Sequence, residues 1–369
     1  MRYRRMPIEI ESPEELGYDA IANNLSESSF SDRTLAYYGI DVDVSSLLLQ
    51  YGDHLGSPAL REQVAADADS LAVDDVIVTG GAATALFVVA TALLGAGDHA
   101  VVVAPNYATN LETPRAIGAD LELHELRFED GWALDLAGLE ASLRPQTRLV
   151  SVTYPHNPTG AMIDVATLEA LIEIVERNGA ARLLVDETYR ELAYGEPLPP
   201  VASLSDRAIG VSSMSKTYGL PGLRIGWLAC RDRELFETLL AAKEQIMICG
   251  ATIDEEIAAQ VLARRGEILP PIRERVESHL QLVRGWIGAQ DVFEWVEPQA
   301  GVVGFVRVRV EHEFDADRFY DTLLTEHGTY VGPGHWFGLD RRGFRLGFAW
   351  PQTDELERGL AGLSAAVAG

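Results

Sequence analysis

The chain has 369 residues, enough for one large or two moderate domains around a substantial buried core. Its 56 acidic residues against 30 Lys plus Arg leave a formal net charge of −26, which repels nucleic-acid phosphates and anionic lipid headgroups and excludes both as expected partners. A composition of 47% apolar and 23% charged residues excludes disorder, and two cysteines, Cys230 and Cys249, argue against a disulfide framework or structural zinc and fit a reducing cytoplasm.

The opening residues MRYRRMPIEIESPEE carry basic charge but no apolar run, so no secretory leader is expected, and stretches such as Ala82 to Leu94 are too short to span a bilayer. The triplet Val76–Val78 reads as a buried strand running into Thr79-Gly80-Gly81. Behind it Leu86, Val89, Ala90 and Leu93 fall at helical spacing, and that helix ends at Gly95-Ala96-Gly97. A strand from His99 to Ala104, a helix near Asn110–Ile117 and a strand around Leu121–Leu126 follow. Leu136, Leu139 and Leu143 predict another helix before the strand Leu149–Val152. Leu168, Leu171, Ile172 and Val175 repeat the helical spacing up to Asn178-Gly179, after which Leu183–Val185 leads into Asp186. This alternation, with continuously apolar strands, predicts an α/β fold: a mainly parallel sheet sandwiched by helices, with ligands at the carboxyl ends of its strands.

The pattern changes after helical stretches around Phe236–Met247 and Ile257–Leu262. Alternating segments Gly304–Val310 and Phe344–Phe348 flank a helix-like Asp315–Thr325, so the last third reads as a smaller α+β unit. The expected division is a large domain over 40–269 and a small domain from 1–39 with 270–369, its boundary near Pro270-Pro271.

Only two of the 30 basic residues are lysines, Lys216 and Lys243. Arginine preference in a GC-rich genome is the plain reading. Loss of lysine combined with many carboxylates is also what a protein dissolved in molar salt needs, because salt screens the self-repulsion of its acidic surface, and a halophilic host is the favoured expectation. Lys216 follows a predicted strand in Val211–Trp227, VSSMSKTYGLPGLRIGW, with Arg224 eight residues downstream. An amine beside hydroxyls and a guanidinium suits a Schiff base to an aldehyde that carries a phosphate. Lys243, spaced with Phe236, Leu240 and Met247 on a helix, reads as a lysine at the edge of an apolar stripe with its ammonium in solvent.

The Lys216 segment resembles the lysine region of fold-type I pyridoxal-phosphate enzymes, specifically the class I/II aminotransferases related to aspartate aminotransferase. The likeness runs in order from about Asn24 to Arg345. It implies the fold-type I transferase architecture, pyridoxal 5′-phosphate as cofactor, no metal, amino-acid and 2-oxo-acid substrates, and a homodimer with shared sites. It further implies a ping-pong reaction in which Lys216 holds the cofactor and carries the proton.

The remaining roles are implied position by position. Asn157, in His156-Asn157-Pro158-Thr159-Gly160, matches a motif whose amide meets the cofactor's phenolic oxygen; alone it would read as a turn. Asp186, at the end of an apolar strand, would pair with the pyridinium nitrogen, and Tyr189 would donate to the phenolic oxygen; without the likeness they read as a helix cap and a core residue. Gly81, Ala82 and Ala83 lie between strand and helix, where backbone N–H groups favour a phosphate, and Ser213 and Arg224 complete that cup. Relatives often carry a hydroxyl there, which leaves Thr84 as a candidate substitute. Tyr107 would stack on the ring, against the alternative of a core tyrosine. Arg345, in FRLGF, would bind the substrate carboxylate together with Asn157 and Ser26; on an alternating strand it would otherwise read as solvated. Tyr51, in YGDHLGSPALR, would reach the phosphate in the partner subunit's site.

Reaction type is a separate question. Asn24-Leu25-Ser26-Glu27-Ser28, the run DETYREL and Pro333-Gly334-His335-Trp336-Phe337-Gly338 look similar to the branch containing capreomycidine synthase, which implies elimination with ring closure as the alternative to transamination. C–S lyase and decarboxylase chemistry use the same scaffold. A transcription regulator with such a domain would add a DNA-binding helix-turn-helix and a basic surface, and neither is present in the pattern. Specificity is expected from Asn24–Asp32, Met247–Thr252 and His335–Trp336, which name no side chain, and no second arginine suggests itself for a dicarboxylate.

Overall fold

Seven strands form the central sheet of the computed structural model, which describes residues 1–368. Their spatial order is Val76–Thr79, Gly226–Ala229, Ala208–Ser213, Arg182–Asp186, Thr147–Thr153, His99–Ala104 and Asp120–Glu125. The four pairings from Ala208–Ser213 to Asp120–Glu125 are parallel, and Gly226–Ala229 runs antiparallel to both its neighbours. The link Met214–Ile225 carries only a 3₁₀ turn, Pro221–Leu223, and no crossover helix, so the chain can return only antiparallel. Two reversals leave Val76–Thr79 pointing the same way as the parallel strands, and six strand ends therefore face one side.

Burial on both faces explains the apolar runs. Leu149, Leu184 and Ile209 pack with Leu86 and Val89 of helix Ala82–Leu93 on one face. Val150, Val152, Leu183 and Val185 pack with Leu168, Leu171, Ile172 and Val175 of helix Val165–Asn178 on the other. Asp164 caps that second helix by accepting from Thr167 N at 2.8 Å, and Gly179 ends it in a positive-φ conformation.

A second, four-stranded antiparallel sheet takes Gly332–Pro333, Gly343–Gly347, Val303–Val308 and Phe293–Trp295 in that order. Helix Arg265–Gly288 covers it through Ile272, Val276, Leu280 and Val283, joined by Phe319, Leu356 and Leu360 from the last two helices. Pro270 and Pro271 stand inside the 24-residue helix and do not interrupt it. Asn23–Asn24 pairs in parallel with Thr329–Tyr330, which ties the N-terminal arm to this region. Among the described residues no helix is long and apolar enough to cross a membrane.

Two local readings change. The helix expected to Met247 stops at Glu244, and Lys243 is not a solvated edge residue. Lys243 is 0% exposed and donates to His54 O at 2.6 Å and Ile248 O at 3.0 Å, pinning the turn that ends the helix to a second loop. Helical periodicity cannot distinguish a lysine at a stripe's edge from one folded under it. The second change is at the N-terminus, where one-turn helices Pro7–Ile10 and Pro13–Leu16 form without any periodic signal.

Candidate active site

The sheet's shared polarity gathers the strand-following segments around one cavity of about 380 Å³. Asp186 ends one strand, Ser213 ends the next with Lys216 just beyond, and Asn157 and Tyr107 stand in the turns after two more. Arg345 enters from the second sheet, on strand Gly343–Gly347. Ala82, Ala83, Tyr189, Arg224 and Ser26 also line the space, so residues spread over 320 positions meet where the sequence pattern placed a ligand.

Lys216 is enclosed, and burial pushes its amine below the ordinary lysine value, with Glu27 as the main opposing influence. Asp186 is 7% exposed; its Oδ1 accepts from Thr188 N at 3.1 Å and Thr188 Oγ1 at 2.6 Å. Burial raises its pKa, and among the described residues no Lys, Arg or His stands within ion-pair distance of it. A buried carboxylate in that position calls for a cation from outside the chain.

The opposite wall holds Arg345, 4% exposed and therefore not the solvated strand residue of the alternative reading. Its Nη1 donates to Asn157 Oδ1 at 3.1 Å and its Nη2 to Ser26 O at 2.6 Å, while Phe337 backs the guanidinium at 5.0 Å. Its Nε has no partner. Ser26 Oγ donates to Asn24 Oδ1 at 2.8 Å, so the serine offers Arg345 its carbonyl and not its hydroxyl. His156 pairs with Thr159 Oγ1 at 2.7 Å and Pro105 O at 2.9 Å, bolting the Asn157 turn to the Tyr107 turn; burial pushes its imidazole down to about 4. Tyr189 lines the cavity, but its hydroxyl donates to Ser28 O at 2.8 Å.

At the far end Gly81, at φ +91°, caps helix Ala82–Leu93. A Cβ there would lie 2.7 Å from Arg224 Nη2, and one on Gly226 would lie 2.6 Å from Ala82 N, so two glycines allow backbone and guanidinium to close a cradle. Arg224 Nη1 reaches Ser215 Oγ at 3.4 Å, and Ser215 N donates to Ser213 Oγ at 3.3 Å. Thr84 is not brought here: its Oγ1 donates to Gly80 O, and the residue lines a neighbouring pocket with Arg5 and Phe87. Tyr51 lies outside the cavity of its own chain, 80% exposed.

Two sets of lining residues escaped the sequence reading. Ser215 was legible, as a hydroxyl next to Lys216. The N-terminal contributors Ile8, Glu9, Ser12, Pro13 and Glu14 were not, because two single helical turns leave no pattern. They are held in place by Glu11, whose Oε2 accepts from His335 Nε2 and Trp336 Nε1, both at 2.8 Å, and whose carbonyl accepts from Tyr330 Oη at 2.7 Å.

The family model described as aminotransferase class I and II matches residues 36–363. The chain belongs to the class I and II aminotransferase family. Capreomycidine synthase from Streptomyces vinaceus is 34% identical over 326 residues, covering 87% of this chain and 82% of that one. An arginine–pyruvate transaminase from Pseudomonas aeruginosa is 29% identical, covering 84% and 81%. Among solved structures, a PLP-dependent aminotransferase from Streptococcus suis superposes with a TM-score of 0.92 at 31% identity, covering 100% of this chain and 98% of the other. The PLP-dependent cyclase OrfR gives 0.89 at 28%, with the same coverage. This class I and II aminotransferase therefore has the PLP-dependent transferase fold and is a pyridoxal 5′-phosphate-dependent enzyme of that class. The site fits the group: a cradle that only glycine permits, an unpaired buried carboxylate for a ring cation, and an enclosed amine lie in one cavity.

Proposed function

We propose that the enzyme transfers the amino group of an α-amino acid to a 2-oxo acid in two half-reactions. The observation that carries this reading is the enclosure of the Lys216 amine in one cavity with a buried Arg345 whose Nε is unpaired. Pyridoxal phosphate supplies the electron sink that weakens bonds at the substrate Cα.

The chain's own groups then take these roles. Arg345 binds the α-carboxylate, its plane fixed by Asn157 Oδ1 and Ser26 O. Lys216 holds the cofactor, and its Nζ later accepts the Cα proton and returns it; a value lowered by burial leaves more of the amine in the neutral, proton-accepting form. Asp186 keeps the ring nitrogen protonated, Asn157 serves the phenolic oxygen, Tyr189 joins it by giving up its hydrogen bond to Ser28 O, and Tyr107 covers the ring face. Gly81, Ala82, Ala83, Ser213, Ser215 and Arg224 cradle the phosphate. The enzyme works in a cytoplasm as a homodimer in which each protomer's Tyr51 reaches its partner's site, a reading supported by the exposure of Tyr51 beside Leu48 and Leu49.

Elimination with ring closure is the second reading, favoured by the likeness to capreomycidine synthase and to the cyclase OrfR. Mixing loaded enzyme with a panel of amino acids separates the two. Transfer converts the cofactor to its amine form with one 2-oxo acid released per site and no ammonia. Ammonia or a cyclic product without that conversion supports the second reading.

A further inference from the structure

Three cations line the cavity, and each has a task in the reading above: Lys216 for the amino group, Arg224 for the phosphate and Arg345 for the α-carboxylate. The same wall carries two carboxylates without one, Glu14 from the turn Pro13–Leu16 and Glu27 from the segment after Asn23–Asn24. Glu27 Oε1 accepts from Tyr18 Oη at 3.1 Å, and among the described residues neither carboxylate has a Lys, Arg or His within ion-pair distance. Both nonetheless act on the two central cations, since Glu27 and Glu14 each favour the charged forms of Lys216 and of Arg345. Burial raises the Glu27 pKa against the opposing pull of Lys216 and Arg345. Glu9, on the same wall, is occupied in capping, its Oε2 accepting from Met6 N at 2.6 Å.

Glu14 and Glu27 line the same cavity as Lys216 and Arg345, within which the side chain of an amino acid held by those two groups must also lie. Nothing cationic remains there to receive a second carboxylate. The unpaired Nε of the buried Arg345 marks the cavity that these carboxylates line as a ligand site.

We propose that Glu14 and Glu27 form the side-chain subsite and select amino acids whose side chain ends in a cation, a guanidinium or an ammonium. The proposal rests on the reading of the cavity as an amino-acid site. It excludes aspartate and glutamate as preferred amino donors.

The test uses the cofactor-loaded enzyme and two readouts, calorimetric binding and the change in visible absorbance, with L-arginine against its neutral isostere L-citrulline, L-lysine against L-norleucine, and L-glutamate as the anionic control. The expected result is that a cationic member binds about tenfold or more tightly than its neutral counterpart, with glutamate weakest. In E27Q and in E14Q that preference drops to about threefold or less. Equal binding of the cationic and neutral members to the wild type, or tighter binding of glutamate, overturns the proposal without needing either variant to fold. If no amino acid yields a 2-oxo acid but arginine still outbinds citrulline, amino transfer fails and charge selection stands. If neutral amino acids are turned over without preference, transfer stands and charge selection fails.

Discussion

Lys216 and Lys243 are both enclosed, for opposite reasons. Lys243 spends its ammonium on two carbonyls and tethers two loops; Lys216 Nζ faces a cavity. Lys216→Ala is expected to abolish the visible absorbance of the loaded enzyme. Lys243→Ala should keep that absorbance and lose about 1–3 kcal/mol in a denaturant titration, because the buried side chain leaves a cavity and the two loops lose their shared donor. Loss of absorbance in the second variant and not the first would reverse the assignment. His156 gives a pH signature. Its folded value is pushed from 6.5 down to about 4, so below 6.5 the unfolded chain binds a proton that the folded one refuses until about 4. Stability contributed by this group is complete above 6.5 and is lost as pH falls through that window, by about 3 kcal/mol in all. The difference between wild type and His156→Asn, followed by denaturation from pH 7 to 4, should carry that slope; a flat difference refutes it. At this scale the sequence was informative where a residue type has few uses. A strand-end lysine in a chain with two lysines was legible; the burial of the other was not, because it depends on two loops distant in sequence.

At the scale of elements, the phosphate cradle depends on a close approach between strand Gly226–Ala229 and the start of helix Ala82–Leu93. A Cβ on Gly226 would meet Gly81 C at 2.5 Å and Ala82 N at 2.6 Å, both backbone atoms that cannot swing aside. Gly226→Ala should therefore release cofactor about tenfold or more readily in equilibrium dialysis, with a smaller loss of global stability, because the displaced atoms are the proposed phosphate donors. Unchanged cofactor retention would argue against the cradle. The strands and helices of the central sheet were readable from apolar runs and helical spacing, since each element there buries a continuous face. The antiparallel placement of Gly226–Ala229 was not, as it is set by the missing crossover helix rather than by the strand's own residues. The N-terminal turns were invisible for a related reason: they owe their place to Glu11 bonded to His335 and Trp336, a contact across more than 300 positions.

For the whole molecule, we propose that residues 40–269 and the unit formed by 1–39 with 270–369 act as the two domains, with substrate held where Arg345 of the second faces Lys216 of the first. The net charge of −26 belongs to this scale as well. If the acidity is an adaptation to salt, the melting temperature should climb as KCl is raised into the molar range, because screening relieves the self-repulsion of the carboxylates in excess over the arginines; a level or falling curve would refute the halophilic reading. The burial of Lys243 has a practical corollary. With Lys243 sealed in the core, Lys216, half-buried on the wall of the cavity, is the one lysine left within reach of solvent. Acylating or reductively alkylating reagents thus meet a single side-chain amine per native chain, and the mass added to that site becomes a direct census of how many active centres stand open.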